Sequence, residues 1–153
     1  VGISVPKSAR DRCIEYVKRC QEPDGGFRYL AQGTGAAFAR TAAGVVALYS
    51  AGVYDGPAIE AGLKYLMRCK PTPGQPRHEM HYFYGHYYAA QAMWIAGGHY
   101  WNEWYPAIRD ELLQRARLRG DGSWFDQICS HYGTAMACII LQIPNNVLPI
   151  LQR

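Results

Sequence analysis

Apolar residues recur along the chain every three to four positions, in six stretches separated by breaks rich in Gly and Pro. That period belongs to a helix with one buried face. It predicts helices over Ser8–Cys20, Phe38–Ala51, Pro57–Cys69, Tyr82–Ala96, Glu103–Arg117 and His131–Ile143. Pro57 suits the first turn of the third helix, and Pro106 the first turn of the fifth if that helix begins slightly later. Gly52, Gly97 and Gly98 suit helix ends. No stretch alternates apolar and polar residues between strand-like bounds, so no sheet is expected.

The six segments fall into two alternating classes, the sign of a repeat with a long period. In the first class, Tyr16-Val17, Tyr65-Leu66 and Leu112-Leu113 recur after 49 and 47 residues, each pair running into a cationic helix end. In the second, Thr41-Ala42, His86-Tyr87 and Thr134-Ala135 recur after 45 and 48 residues. The first class carries charge on one face, through Asp11, Arg12, Glu15, Lys18 and Arg19 and again through Arg109, Asp110, Glu111 and Arg115. A helix with a charged face lies against water. The second class is nearly uncharged over Thr41–Leu48, Tyr87–Trp94 and Thr134–Leu141, and a helix apolar all round is buried on all sides. The pattern therefore predicts an all-α domain over residues 1–153, with three hairpins near 8–52, 56–98 and 102–144 and an inner layer of helices jacketed by an outer one.

Composition narrows the function classes. At 153 residues, 49% hydrophobic and 18% charged, the chain can build a substantial core, since domains of this length bury roughly 68–70% of their unfolded surface. No apolar run approaches the roughly 18–20 residues that span a bilayer, so no transmembrane segment is expected, and the chain reads as soluble, with no compartment assigned. The net charge of +4 does not mark a nucleic-acid binder, because Lys18 and Arg19, then Lys64, Arg68 and Lys70, then Arg115, Arg117 and Arg119 sit at helix ends, where cations complement the helix dipole. Five cysteines, Cys13, Cys20, Cys69, Cys129 and Cys138, form no CxxC pair and read as core thiols.

Two loops after outer helices share a form: Gln21-Glu22-Pro23-Asp24-Gly25-Gly26-Phe27 and Arg117-Leu118-Arg119-Gly120-Asp121-Gly122-Ser123-Trp124. Each ends in Asp-Gly-x-aromatic. The middle copy is degraded, with Lys70 at the Gln position and Pro71-Thr72-Pro73-Gly74 in place of the glycine turn. In such a loop the Gln can bond open backbone groups at the helix end, Asp-Gly makes a tight turn, and the aromatic tucks back against the helix stem. The pattern resembles the QW repeat of squalene and other terpenoid cyclases and the related repeat of protein prenyltransferases. That resemblance implies an α/α toroid, here a partial one of three hairpins, whose inner helices surround an aromatic-lined cavity for an apolar, isoprenoid-like ligand. It resembles most the bacterial squalene cyclase-like repeat proteins of unassigned activity, and implies that the chain is the C-terminal half of a longer protein or closes its ring as a homodimer.

The densest aromatic stretch, from His78 and Glu79 through His81, Tyr82, Tyr84, His86 and Tyr87 to Trp94, enters an inner helix. With Trp124, Phe125 and Tyr132 it forms either the expected ligand-binding set, since aromatic faces hold apolar and cationic ligands, or ordinary core whose tyrosines bond their neighbours. Glu79 reads as a helix-end cap. Neither the DxDD nor the Asp-Cys-Thr-Ala-Glu acid segment of the cyclases occurs, and Asp24, Asp55, Asp110, Asp121 and Asp126 stand isolated, so no catalytic residue is assigned. The zinc of the prenyltransferases would need Asp, Cys and His ligands, and Asp126, Cys129, His131 and His86 are the residues of those types near the last inner helices. Two alternatives stand beside a ligand-binding domain: part of a prenyltransferase- or cyclase-type enzyme completed by other sequence or a second subunit, and a protein-interaction scaffold.

Overall fold

The computed structural model describes residues 4–33, 35–72 and 81–146. Among them are six α-helices: α1 (Lys7–Arg19), α2 (Phe38–Ser50), α3 (Pro57–Met67), α4 (Tyr82–Ala96), α5 (Gly98–Arg119) and α6 (Ser130–Gln142), with a 3-10 turn over Ile143–Asn145. No strand occurs among these residues, and none of these helices is long and apolar enough to cross a membrane. The expected Pro73-Gly74 turn and Glu79 cap lie outside the described residues.

The helices alternate between two layers. α2 packs on α4 and α4 on α6, while α1 and α3 flank α2 and α5 flanks α4 and α6. Val45, Ala89 and Ala137, one from each uncharged helix, are completely buried, but α6 is not buried on all sides as expected: it ends the series α2, α4, α6 and exposes His131, Ala135, Cys138 and Gln142. Outer helices contribute stripes at helical spacing: Ile59, Leu63 and Leu66 on α3, and Trp104, Ile108 and Leu112 on α5. Each aliphatic member of these stripes contributes about 1.5–3 kcal/mol by leaving water. α1 has no fully buried residue and is the most peripheral helix.

Two further expectations need correction. α5 begins at Gly98, five residues before the predicted start, and Pro106 lies inside it rather than in its first turn. Only Gly97, with φ of 67°, separates α4 from α5. The extra turn is held by stacking of Trp101 on Tyr105 (4.5 Å between centroids) and its edge contact with Trp94 (4.9 Å), which local propensity does not encode. Pro106 leaves the Asn102 carbonyl without its usual helical donor. Second, only Cys20 is a buried thiol; Cys69 is half-buried, and Cys13, Cys129 and Cys138 are exposed. Cys13 lies on the peripheral α1, and Cys138 on the outward face of the last inner helix.

The two Asp-Gly-x-aromatic corners share one hydrogen-bond plan. Asp24 Oδ1 accepts the Gly26 N–H (3.0 Å), and Asp121 Oδ1 accepts the Ser123 N–H (2.9 Å) and hydroxyl (2.7 Å). These bonds, the backbone one foremost, hold the Asp121 carboxyl down to about 2. The aromatic N–H then donates to the aligned threonine of the next inner helix: Phe27 to Thr41 Oγ1 (2.9 Å) and Trp124 to Thr134 Oγ1 (3.1 Å). Phe27 is 2% exposed against Gly44 and Gly62, while Trp124 donates its indole N–H to the Leu112 carbonyl on α5 (2.8 Å).

Gln21 works differently from a helix cap. Its Nε2 donates forward, to the carbonyls of Gly25 (3.0 Å) and Ala58 (2.8 Å), and so ties the first corner to the start of α3. Lys70, at the equivalent place, reaches forward in the same way to Glu103 on α5 (3.0 Å). Gly25 sits at φ of +92°, and a Cβ there would collide with the Ala61 carbonyl of α3. Gln21→Ala, which removes both forward bonds, is expected to lower the unfolding free energy by about 1–2 kcal/mol. Gly25→Ala is expected to cost roughly 1–3 kcal/mol in backbone strain alone. Urea denaturation checks both, and midpoints equal to the parent's would show that the corner does not lock onto α3.

Candidate functional site

An apolar cleft of about 790 Å³ opens where the N-termini of α2 and α4 meet the C-terminal end of α3. Its lining runs from the first turn of α2 (Ala37, Phe38, Ala39, Arg40) across Tyr65 and Cys69 to His81 and Tyr84, with Tyr29 at the rim. The volume falls within the roughly 300–1,000 Å³ of small-molecule sites, and the lining is likewise aromatic with few polar groups. Three devices build it. Stacking of Phe38 on Trp104 (6.0 Å) anchors the first turn of α2 to the core. Arg68 lies over the Tyr65 ring (4.7 Å) while donating to the Asp24 carbonyl (2.9 Å), which fixes that wall to the first corner. Tyr84 meets Tyr88 edge-on (4.9 Å) one helical turn away.

Burial, and secondarily the Tyr88 ring system, pushes the Tyr84 phenol upward; burial does the same for Tyr65. Both walls therefore carry neutral hydroxyls at ordinary pH. Among the described residues no Asp or Glu lines the cleft. Arg40 is the only Lys, Arg, Asp or Glu of α2, and it projects into the cleft from the first turn of an otherwise uncharged helix.

Of the residues expected to bind a ligand, His81 and Tyr84 line this cleft. His81 occupies the N-cap of α4 in the left-handed region, with φ of 62°. The others are distributed elsewhere. His86 is 2% exposed, caged by Tyr82 (4.3 Å), Phe38 (4.8 Å) and Trp104 (5.8 Å), and belongs to the core. Tyr82 is buried beneath the Arg115 guanidinium and donates its hydroxyl to Glu111 (3.0 Å). Tyr87 and Tyr88 meet edge-on at 5.0 Å, and Tyr132 on α6 lies close enough to push the Tyr84 phenol upward and to be pushed upward itself, chiefly by burial, so these rings form an aromatic face beside the cleft. Trp94 packs on Trp101 toward the C-terminal end of α4, Trp124 is buried in the second corner, and Phe125 is exposed.

The four residues considered for zinc are not gathered. Among the described residues no three His, Cys, Asp or Glu side chains come close enough to hold a metal. Asp126 accepts the Ile128 N–H (2.9 Å), Cys129 Sγ accepts the Tyr132 N–H (3.4 Å) as the N-cap of α6, His131 is exposed, and His86 stays inside its cage of rings. Sequence reasoning missed Tyr29, Phe38, Arg40, Tyr65 and Cys69 as cleft residues. A lone cation in an uncharged helix was the one signal available for Arg40.

No family model, curated protein or solved structure matches the chain. The contrast between core and cleft generates a direct test. His86→Ala, which empties a cage of three rings, is expected to destabilise the fold by about 2–5 kcal/mol. Tyr84→Ala, at a 40% exposed wall, is expected to change stability by no more than about 1 kcal/mol. Urea unfolding of the two variants separates them, and equal effects would contradict the division.

Proposed function

We propose that this chain is a cyclase- and prenyltransferase-like helical-repeat domain that holds an apolar, isoprenoid-like small molecule and carries no complete catalytic set of its own. The observation that carries the reading is the cleft itself, which presents Phe38, Tyr65 and Tyr84 to one space with, among the described residues, no acidic side chain. An isoprenoid chain gains little from directional bonds and much from rings that exclude water on both sides. The serial packing of α2, α4 and α6, and the two corners with one hydrogen-bond plan, support an arc of an α/α toroid.

A second reading, in which this arc is one part of a larger cyclase- or prenyltransferase-type enzyme, draws on α6. His131, Ala135, Cys138 and Gln142 recur at helical spacing and are exposed, a stripe without Lys, Arg, Asp or Glu on the last inner helix. In that reading another hairpin or a second copy continues the arc there.

Titration with farnesol, an uncharged isoprenoid alcohol, followed by intrinsic tryptophan fluorescence tests the first reading. Saturable binding is expected in the parent. Tyr84→Ala is expected to weaken it about tenfold and Ala39→Trp, which fills the cleft, to abolish it, with far-UV circular dichroism unchanged in both. Absence of saturable binding in the parent, or equal binding in all three proteins, would refute the assignment.

A further inference from the structure

The arginine of the cleft makes a demand that the apolar walls do not. A guanidinium stays charged at every physiological pH and carries five N–H donors, so a half-buried one is normally met by carboxylates or carbonyls. The other arginines around this corner follow that rule. Arg28 donates to the carbonyls of Gly33 and Arg19, both at 3.0 Å, and lies 3.9 Å from the Glu22 carboxylate. Arg68 lies 3.7 Å from the Asp24 carboxylate.

Arg40 is met less fully, by a carbonyl alone. It makes one hydrogen bond, from Nη2 to the Gly35 carbonyl (3.0 Å). Its Nε–H, like that of Arg28, is withdrawn from solvent and meets no acceptor, but unlike Arg28 and Arg68 it has, among the described residues, no carboxylate within ion-pairing distance. The surroundings add to the positive field. Ala37, the N-cap of α2, gives its helix no side-chain cap, so the positive end of the α2 dipole borders the cleft beside Arg40.

We infer that the cleft takes an apolar compound ending in a single carboxylate, with Arg40 holding the head and Phe38, Tyr65 and Tyr84 enclosing the chain. This inference rests on the reading of the cleft as a small-molecule site and specifies its ligand class. One planar guanidinium matches the two oxygens and single charge of a carboxylate. A diphosphate would bring several negative charges against one cationic side chain in the lining. An uncharged lipid would leave that half-buried cation beside hydrocarbon with no anionic partner, which is costly.

Isothermal titration of the parent, Arg40→Gln and Arg40→Lys with farnesol, farnesoic acid and farnesyl monophosphate separates the possibilities, because the three probes share one chain and differ in the head. The acid is expected to bind the parent at least about tenfold more tightly than the alcohol. Arg40→Gln is expected to erase that difference by weakening the acid and tightening the alcohol, and Arg40→Lys to restore part of it. Equal affinity of acid and alcohol for the parent would overturn the head assignment while the cleft reading stands. Tighter binding of the monophosphate than of the acid would replace carboxylate by phosphate. Loss of acid and alcohol together in Arg40→Gln, with helicity retained, would make Arg40 a wall rather than a head-group residue. Failure of every probe to bind the parent would remove the cleft reading itself, and this inference with it.

Discussion

A helix without charge gains most from being covered by its neighbours, and α4 is the helix that is covered most completely. From Tyr82 to Ala96 it contains no Lys, Arg, Asp or Glu, and Ala89, Ala90, Ala92 and Met93 are wholly withdrawn from solvent. α2, α5 and α6 cover it. The face that they leave partly open carries Tyr84, Tyr87 and Tyr88, residues whose rings pack and whose hydroxyls tolerate water. The layering of the other helices follows from covering this one, because small residues at Ala89, Ala90 and Ala92 let its neighbours approach closely.

Covering α4 requires the chain to pass repeatedly between an outer and an inner layer, and each passage exposes backbone groups that must be met. The first and third hairpins solve this alike. An aspartate closes the turn, an aromatic residue buries its ring, and a threonine at the start of the next inner helix receives the aromatic's N–H. The forward reach of Gln21 to α3 and of Lys70 to α5 then joins one hairpin to the next. Gln21 links two partly buried carbonyls, whereas Lys70 and Glu103 form a solvent-facing ion pair of the kind that contributes about 0–1 kcal/mol. The first corner is accordingly the stronger joint.

Helix positions and layers were legible because they depend on local period and on charge, both of which a sequence displays. The pairing of Phe27 with Thr41 and of Trp124 with Thr134 was prefigured in the alignment of the two threonines. Side-chain direction was less legible. The sequence placed His86 on an inner helix, yet nothing local distinguishes a ring aimed at Phe38 and Trp104 from one aimed into a cavity. The early start of α5 depends on Trp101 meeting Trp94 and Tyr105, a tertiary contact. The cleft was illegible for the same reason: Tyr29, Phe38, Tyr65 and Tyr84 come from a loop and three helices, and only folding makes them neighbours. Arg40 is the exception, because its charge breaks the pattern of its own helix.

The central claim is that uncharged helices form the protected interior and charged helices its jacket. Native-state amide hydrogen exchange reads that protection helix by helix. The account predicts that amides in the middle of α2 and α4 exchange only through global unfolding, whereas those of α1 exchange through a local opening of much lower free energy. Protection of α1 equal to that of α4, or fast exchange around Val45 and Ala89, would contradict it.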